Sequence, residues 1–196
     1  MKKLFARVLT AGIICSALAL AACGGAGGGA SNGGGATATA TPKPAPTGVP
    51  TLTVAKCEQL LSLAEANQIM NPSKPATMVE LDGTATCGYD YAQNQAVVGV
   101  TFLPYTGTAA EAMTMLTANE DELKQSTDSF TATPIPGLGT AALFEGHTQD
   151  SITAATVNVV DGKVIITCHN FEVGSTPLDF EQTALTKVCT TVISRM

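Results

Sequence analysis

The chain has 196 residues, a formal net charge of −6, 45% hydrophobic residues and only 13% charged residues. All 16 acidic residues but only six of the ten basic ones follow residue 53, so residues 54–196 carry a charge of −10. This charge argues against a nucleic-acid partner, because binding to a phosphate backbone depends on lysine and arginine. These 143 residues suffice for one domain with its own core and are too few for two.

Residues 1–22 have the features of a removable export signal. Lys2, Lys3 and Arg7 precede the apolar stretch 9–20, which is too short to span a membrane as a mature helix. The stretch ends in L-A-A-C at Cys23, which resembles the lipobox of bacterial lipoproteins. The resemblance implies cleavage before Cys23 and a diacylglycerol on its thiol, so the membrane is the first predicted partner. The alternative is an ordinary secretory signal followed by a chance cysteine.

Residues 24–53 have the composition of a tether. Glycine dominates residues 24–35, whereas alanine, threonine and proline dominate residues 36–53. Glycine-rich chain is flexible and proline-rich chain is stiffer and extended. The predicted organisation is therefore a leader (1–22), a lipidated cysteine with its tether (23–53) and one globular domain (54–196). The sequence leaves open whether the threonines are glycosylated.

Three helices are predicted in the domain from their caps. S-L-A-E at Ser62 and T-A-A-E at Thr108 have the spacing of capping boxes, which predicts helices over 63–70 and 109–124. Thr176-Pro177 is an N-cap followed by proline, which predicts a helix over 177–194. A short helical turn carrying Cys57 is expected before the first helix.

Seven strands are predicted between these helices from alternating polar and apolar residues and from D-G turn signals at Asp82 and Asp161. Their predicted ranges are 77–81, 86–92, 96–103, 130–134, 141–145, 152–160 and 163–170. The order of helices and strands predicts an α+β domain with a mainly antiparallel sheet and three helices packed largely on one face.

Four cysteines remain after the leader and the lipidated residue, and an even number in an exported domain indicates two disulfides. Zinc binding is the rival interpretation, but no C-x-x-C pair is present. Period-two alternation places Cys168 on the apolar face of its strand, and helical spacing turns Cys189 inward. The predicted pairs are therefore Cys168–Cys189 and Cys57–Cys87, out of three possible connectivities.

Three strings carry a family resemblance: C-E-Q-L-L-S-L-A-E-A from Cys57, C-G-Y from Cys87 and P-G-L-G-T-A-A from Pro136. With the lipobox and tether, they resemble small exported lipoproteins of unknown function from high-GC Gram-positive and related bacteria. The chain has Thr140 where that family usually places aspartate. The family has no established catalytic residues, so the resemblance implies only an extracytoplasmic, disulfide-containing α+β domain.

Other motifs have simpler interpretations. G-L-G at Gly137 lacks the third glycine and the lysine of a phosphate-binding loop, so a turn between strands is expected. The acidic run 120–122 lacks the ligand spacing of a calcium loop and fits a solvated helix end. Residues 145–150 bring together two carboxylates and His147, and a connecting loop is preferred there to a metal site. No nucleophile-elbow sequence supports a serine as a catalytic nucleophile.

One surface of the predicted sheet is a candidate recognition face. Alternation puts small and polar residues on the side opposite the helices, with Asp90 and His169 as its only expected ionisable members. The predicted site residues are Asp90, Thr101, Asn158, Thr167 and His169. A plain solvated sheet face is the alternative; the functional hypothesis is recognition of a protein, peptide, glycan or small molecule.

The sequence therefore predicts a non-enzymatic binding or sensing domain, held outside the cytoplasm at the cell membrane by lipid on Cys23. No metal and no cofactor other than this covalent lipid are expected, and the oligomeric state stays open. A second hypothesis is a carrier for an apolar small molecule or lipid, with a cavity lined by Met70, Phe102, Met113 and Leu116. A third is a hydrolase-type enzyme, which would need a cleft that unites His147 or His169 with a carboxylate.

Overall fold

The fold comes from a computed structural model that describes residues 45–71, 75–83, 85–91, 96–149, 152–173 and 177–196. The predicted leader, Cys23 and the tether up to residue 44 lie outside these residues. The helices are α1 (Val54–Leu60), α2 (Leu63–Met70), α3 (Ala112–Leu116), α4 (Glu120–Ser126) and α5 (Leu178–Arg195). The strands are β1 (Ala76–Asp82), β2 (Thr86–Tyr91), β3 (Ala96–Pro104), β4 (Ser129–Pro134), β5 (Ala141–Gln149), β6 (Ile152–Asp161) and β7 (Val164–Val173). Over the described part of the chain, no helix is long and apolar enough to cross a membrane.

All seven strands form one antiparallel sheet in the order β1-β2-β3-β7-β6-β5-β4. Two meanders make up this sheet, β1 to β3 and β4 to β7, and they join where β3 pairs with β7 from Ala96 to Pro104. Gly162 adopts a φ of 57° in the predicted turn between β6 and β7, a conformation that glycine adopts without strain. The predicted α+β class and antiparallel sheet are confirmed.

The main core lies between one face of the sheet, called here the near face, and helices α1, α2 and α5. Buried near-face residues such as Phe102, Val157 and Ile166 pack against buried helix residues such as Leu185 and Val188. Both predicted disulfides form across this layer, Cys57–Cys87 and Cys168–Cys189. Each one ties a helix to a strand, which confirms the pairing predicted from strand alternation.

The caps predicted for the second helix are present. The Ser62 hydroxyl accepts a hydrogen bond from the Glu65 amide (3.3 Å), and the Glu65 carboxylate accepts one from the Ser62 amide (3.0 Å). The helix ends at Asn71, whose φ of 44° is the left-handed conformation typical of a C-cap. Arg195, at the end of α5, donates two hydrogen bonds to the Glu65 carboxylate (2.6 and 2.7 Å). This bidentate pair joins the C-terminal end of α5 to the first turn of α2.

The predicted helix over 109–124 is wrong, because the segment forms two short helices, α3 and α4. The Thr108 carbonyl already accepts hydrogen bonds from the Tyr105 hydroxyl (2.6 Å) and the Glu111 amide (3.1 Å), so regular helical bonding starts only after Glu111. The Thr117 hydroxyl then bonds back to the carbonyls of Met113 and Thr114 at the end of α3. Such side-chain bonds compete with helix continuation.

The predicted number of three helices is also wrong, since the described chain has five. The helices α1, α2 and α5 share the near face, whereas α3 packs on the opposite, far face. A second buried cluster forms there, from Tyr105, Ala112 and Leu116 against Leu143 and Val160 of the sheet. The far-face positions at this end of β5 and β6 are apolar, and burying them under α3 removes their surface from water. Helices therefore cover the middle of the near face and only part of the far face.

The strand β5 is longer than predicted. It runs from Ala141 to Gln149, so residues 145–149 are not the loop that the sequence indicated. They pair with β6 from Glu145↔Thr156 to Gln149↔Ile152. Strand pairing overrides the polar composition here because β5 lies between β6 and β4, where both of its backbone edges are satisfied.

The last residues of the predicted tether contact the domain. Leu52 belongs to the main core, and the Lys163 amide donates a hydrogen bond to the Pro46 carbonyl (3.0 Å). A Cβ added at Gly162 would lie 3.0 Å from the Ala45 Cβ and closer still to the Pro46 carbonyl. The chain therefore meets the domain beside the turn between β6 and β7.

Candidate functional site

The part of the far face that the described chain leaves uncovered is called here the open face. It lies on β1, β2, β3 and β7 and extends to the adjoining half of β6. Its members are the far-face residues Glu80, Asp82, Thr86, Gly88, Gly99, Thr101, Thr156, Asn158, Thr167 and His169. They face away from the core because alternate residues of each strand, such as Phe102, Val157 and Ile166, are buried on the near face.

One row of the open face consists of polar side chains that are hydrogen-bonded to one another in two groups. Thr86, Thr101, Thr167 and Asn158 lie in register on four neighbouring strands. The hydroxyls of Thr86 and Thr101 are 2.9 Å apart, and the Thr167 hydroxyl donates to the Asn158 carbonyl oxygen at 2.8 Å. The Asn158 amide in turn donates to the Glu145 carboxylate at 2.8 Å. These bonds fix the orientation of each side chain that a ligand would meet.

The neighbouring row is built around two glycines. Gly88 and Gly99 are opposite each other on β2 and β3, and His169 of β7 is opposite Gly99. The His169 imidazole lies over Gly99, since a Cβ built on that glycine would come within van der Waals overlap of the ring. The Glu80 side chain lies over Gly88, with its Cγ 3.4 Å from the position of an added Cβ. The Glu80 and His169 side chains thus extend towards each other over the two glycines.

Burial and charge set the ionisation of the groups on this side of the sheet. Partial burial lowers the pKa of His169 below its ordinary value, and nearby Asp82 opposes that shift. Burial also lowers the pKa of His147. Burial raises the pKa of Glu145, the hydrogen bond from Asn158 opposes this, and the negative charge of Glu120 adds to it. At neutral pH, His169 is therefore kept uncharged and does not neutralise the carboxylates beside it.

The structure brings together four of the five predicted site residues. Thr101, Asn158, Thr167 and His169 lie on the open face of adjacent strands, as the alternation indicated. Asp90 pairs in register with Met78 and Val97, and its side chain lies outside the described part.

The expectation that Asp90 and His169 are the only ionisable groups of the face is wrong. Glu80 and Asp82 of β1 also belong to it, and Glu145 and His147 of β5 border it. The pairing of β1 with β2 could have revealed the first two, because the D-G turn at Asp82 fixes their register. The polar composition of residues 145–150 indicates a loop, so it does not place Glu145 and His147 beside this face.

The remaining motifs occupy structural positions. Gly137 and Gly139 have φ angles of 79° and 61° in the connection between β4 and β5, and Leu138 between them is buried in the core. The expected turn is therefore confirmed. The acidic run 120–122 forms the first turn of α4, where Glu120 pairs with Lys124 at 3.0 Å. Within the described ranges, no group of three or more His, Cys, Asp or Glu residues could hold a metal ion.

The structure separates the residues of the carrier hypothesis, and it separates His169 from Glu145. Met70 and Phe102 belong to the main core, whereas Leu116 lies in the cluster on the far face, so these residues line no common cavity. His169 and Glu145 lie in one register row but are separated by β6. Two strand spacings put their backbones about 10 Å apart, and the Glu145 carboxylate is hydrogen-bonded to the Asn158 amide of β6 between them.

One buried polar pair lies on the near face, under the first turns of α5. Asn170 is 6% exposed and Glu181 is 1% exposed. The Asn170 amide donates to both carboxylate oxygens of Glu181 at 3.0 Å, and the Asn170 carbonyl oxygen has no hydrogen-bond partner within the described residues. This pair anchors the start of α5 to β7 and gave no signal in the sequence.

Comparisons with known proteins add little to this description. No family model matches the chain, and no curated protein matches it. Among solved structures, the chain is similar to the extracellular domain of PknH from Mycobacterium tuberculosis. The identity is 12% and the TM-score is 0.41, over 75% of this chain and 97% of that one. At this score the likeness is too weak to support a conclusion about this chain.

Proposed function

We propose that this protein is a lipid-anchored domain outside the cytoplasm that binds a ligand with its open face and catalyses no reaction. Two disulfides support a location outside the cytoplasm, because disulfides persist mainly in oxidising compartments. The lipobox resemblance at Cys23 supports attachment to the membrane through a diacylglycerol. The tether up to residue 44 would let the domain sit clear of the lipid headgroups.

The observation that carries the binding role is the order within the open face. Its threonine and asparagine side chains lie in one register row and are held by hydrogen bonds in two groups, Thr86 with Thr101 and Thr167 with Asn158 and Glu145. His169 lies beside this row and has no hydrogen-bond partner among the residues that the structure describes. Fixed polar groups with spare hydrogen-bonding capacity suit recognition, because they lose little conformational entropy when a ligand binds.

Site-specific photocross-linking in the cells that make the protein tests this function. A photoreactive amino acid at Thr101 should capture a partner molecule, identified by mass spectrometry. The matched control places the same amino acid at Lys187, which is exposed on α5 on the other side of the molecule. Equal labelling from both positions, or none from Thr101, would refute a recognition role for the open face. Metabolic labelling with palmitate, compared with a Cys23→Ser variant, tests the anchor separately.

A further inference from the structure

The charges of this domain are distributed unevenly between the two sides of the sheet. Among the described side chains, the carboxylates of Glu80, Asp82 and Glu145 lie on the far face. None of the strand positions that the structure assigns to this face is lysine or arginine. The described basic residues belong to other elements, namely Lys56 in α1, Lys124 in α4, Lys163 in the turn after β6, and Lys187 and Arg195 in α5. Of these, Lys124 lies over the Phe130 ring at the β4 edge of the far face, outside the open face.

The carboxylates of the far face lack basic partners among the described residues. Lys124 of α4 is paired with Glu120 at 3.0 Å. Glu145 accepts a hydrogen bond from the neutral amide of Asn158. His169 adds no positive charge at neutral pH, because burial lowers its pKa. Glu80 and Asp82 therefore stand on the open face without a described basic side chain beside them.

The open face also has the shape and the rim that an extended peptide needs. Two glycines and three threonines keep the side chains over β2, β3 and β7 short. Apolar side chains stand exposed at the rim, with Met78 at 49% and Phe171 at 40% of their surface exposed. An extended chain could place alternate residues on the polar floor and on these apolar side chains, since its side chains alternate in direction.

From the one-sided charge and this shape, we infer that the open face binds an extended segment of a partner protein that carries lysine or arginine. The inference rests on the proposed binding function and names its ligand class. Ammonium and guanidinium groups of the segment would pair with Glu80 and Asp82, and its apolar residues would contact Met78 and Phe171. A long-range negative potential would also speed the encounter with such a segment.

Fluorescence polarisation with labelled octapeptides tests the inference on the full chain in detergent. The probes alternate valine with lysine, with glutamine or with glutamate, so that length and strand propensity stay constant. We expect the lysine peptide to bind at least tenfold more tightly than the glutamine peptide, and the glutamate peptide not to bind. Raising the salt concentration from 0.05 to 0.5 M should lower the affinity for the lysine peptide several-fold, because salt screens the attraction between exposed charges.

A pair of charge-matched variants localises the binding. Glu80→Gln combined with Asp82→Asn removes two charges from the open face. We expect this double variant to bind the lysine peptide about tenfold more weakly, since each exposed charge pair contributes up to about fivefold in affinity. Glu58→Gln combined with Asp179→Asn removes the same charge from α1 and α5 and should change affinity less than twofold. Circular dichroism of each variant checks that the fold is retained.

Four outcomes would overturn the inference. An equal loss in both double variants would mean that total charge, not the open face, attracts the peptide. Displacement of the lysine peptide by equimolar spermine would mean that a small amine suffices. Equal binding of the glutamine peptide would remove the charge requirement while leaving the binding function in place. If no octapeptide binds, the inference fails, and photocross-linking from Thr101 then decides independently whether the open face has another ligand.

Discussion

Substitution of Gly99 by alanine tests the geometry of the open face most directly. A Cβ at residue 99 would overlap the Nε2 and Cε1 atoms of the His169 ring, so the ring must move outward or the strands must shift. Overpacking of this kind costs about 1–3 kcal/mol. Because the obstacle is one partly exposed side chain and not backbone, we expect a loss near the lower end, about 1 kcal/mol.

Gly88→Ala is the matched control on the adjacent strand. Its Cβ would meet the Glu80 Cγ at 3.4 Å, which is an ordinary contact. Alanine also restricts the unfolded chain, so this variant should be neutral or more stable by up to about 1 kcal/mol. Urea unfolding followed by circular dichroism measures both changes on the same protein, which contains no tryptophan for fluorescence detection.

A double-mutant cycle and a titration complete the test. In a His169→Ala background the obstacle is gone, so Gly99→Ala should no longer destabilise the protein, and the two sites should couple by about 1 kcal/mol. An outward ring would also be less buried, so the pKa of His169 should rise towards its ordinary value of 6.5 in Gly99→Ala. The reasoning is refuted if Gly99→Ala costs the same stability with and without His169.

Three further predictions concern the layer that covers the near face. Replacing either cysteine pair by alanine should cost about 3 kcal/mol of unfolding free energy, and non-reducing peptide mapping should find no fragment that joins Cys57 to Cys189. The two hydrogen bonds from Arg195 lower the pKa of Glu65 from 4.5 to about 2. The stabilisation that this ion pair contributes should therefore be fully present above pH 4.5 and be lost as the pH falls towards 2. In the Glu65→Gln variant, the urea midpoint should depend less on pH over this range. Glu181→Ala should destabilise the protein by about 2 kcal/mol or more, because it leaves the Asn170 amide buried without its carboxylate; Glu181→Gln should cost less, and equal losses would contradict this reason.

Much of the near face could be predicted from the sequence because its signals are local. The capping box from Ser62 to Glu65 sets the start of α2, and D-G at Asp161 sets the hairpin of β6 and β7. Alternation then decides which side of β7 carries Cys168, and helical spacing decides which side of α5 carries Cys189. Each of these rules involves neighbours in the chain, and together they are sufficient to pair the four cysteines correctly.

The far face was harder because its structure depends on contacts between distant residues. The T-A-A-E string at Thr108 is a good helix start by itself, but the Tyr105 hydroxyl takes the Thr108 carbonyl and the helix begins later. The polar residues 145–149 look like a loop until β6 and β4 are known to flank them. Nothing local indicates that α3 covers Leu143, so the sequence alone could not show that part of this face is buried.

The packed near face offsets the cost of the glycines on the open face. Glycine in a strand costs about 0.5–1 kcal/mol relative to alanine, and the open face places Gly88 and Gly99 opposite each other in neighbouring strands. The His169 ring restores part of the missing contact over Gly99, as aromatic residues do across strand glycines. The near face offsets the rest through its packed core and through two disulfides, each of which contributes about 3 kcal/mol. Because the near face carries this stability, the sheet tolerates two adjacent glycines and a row of short polar side chains on its open face.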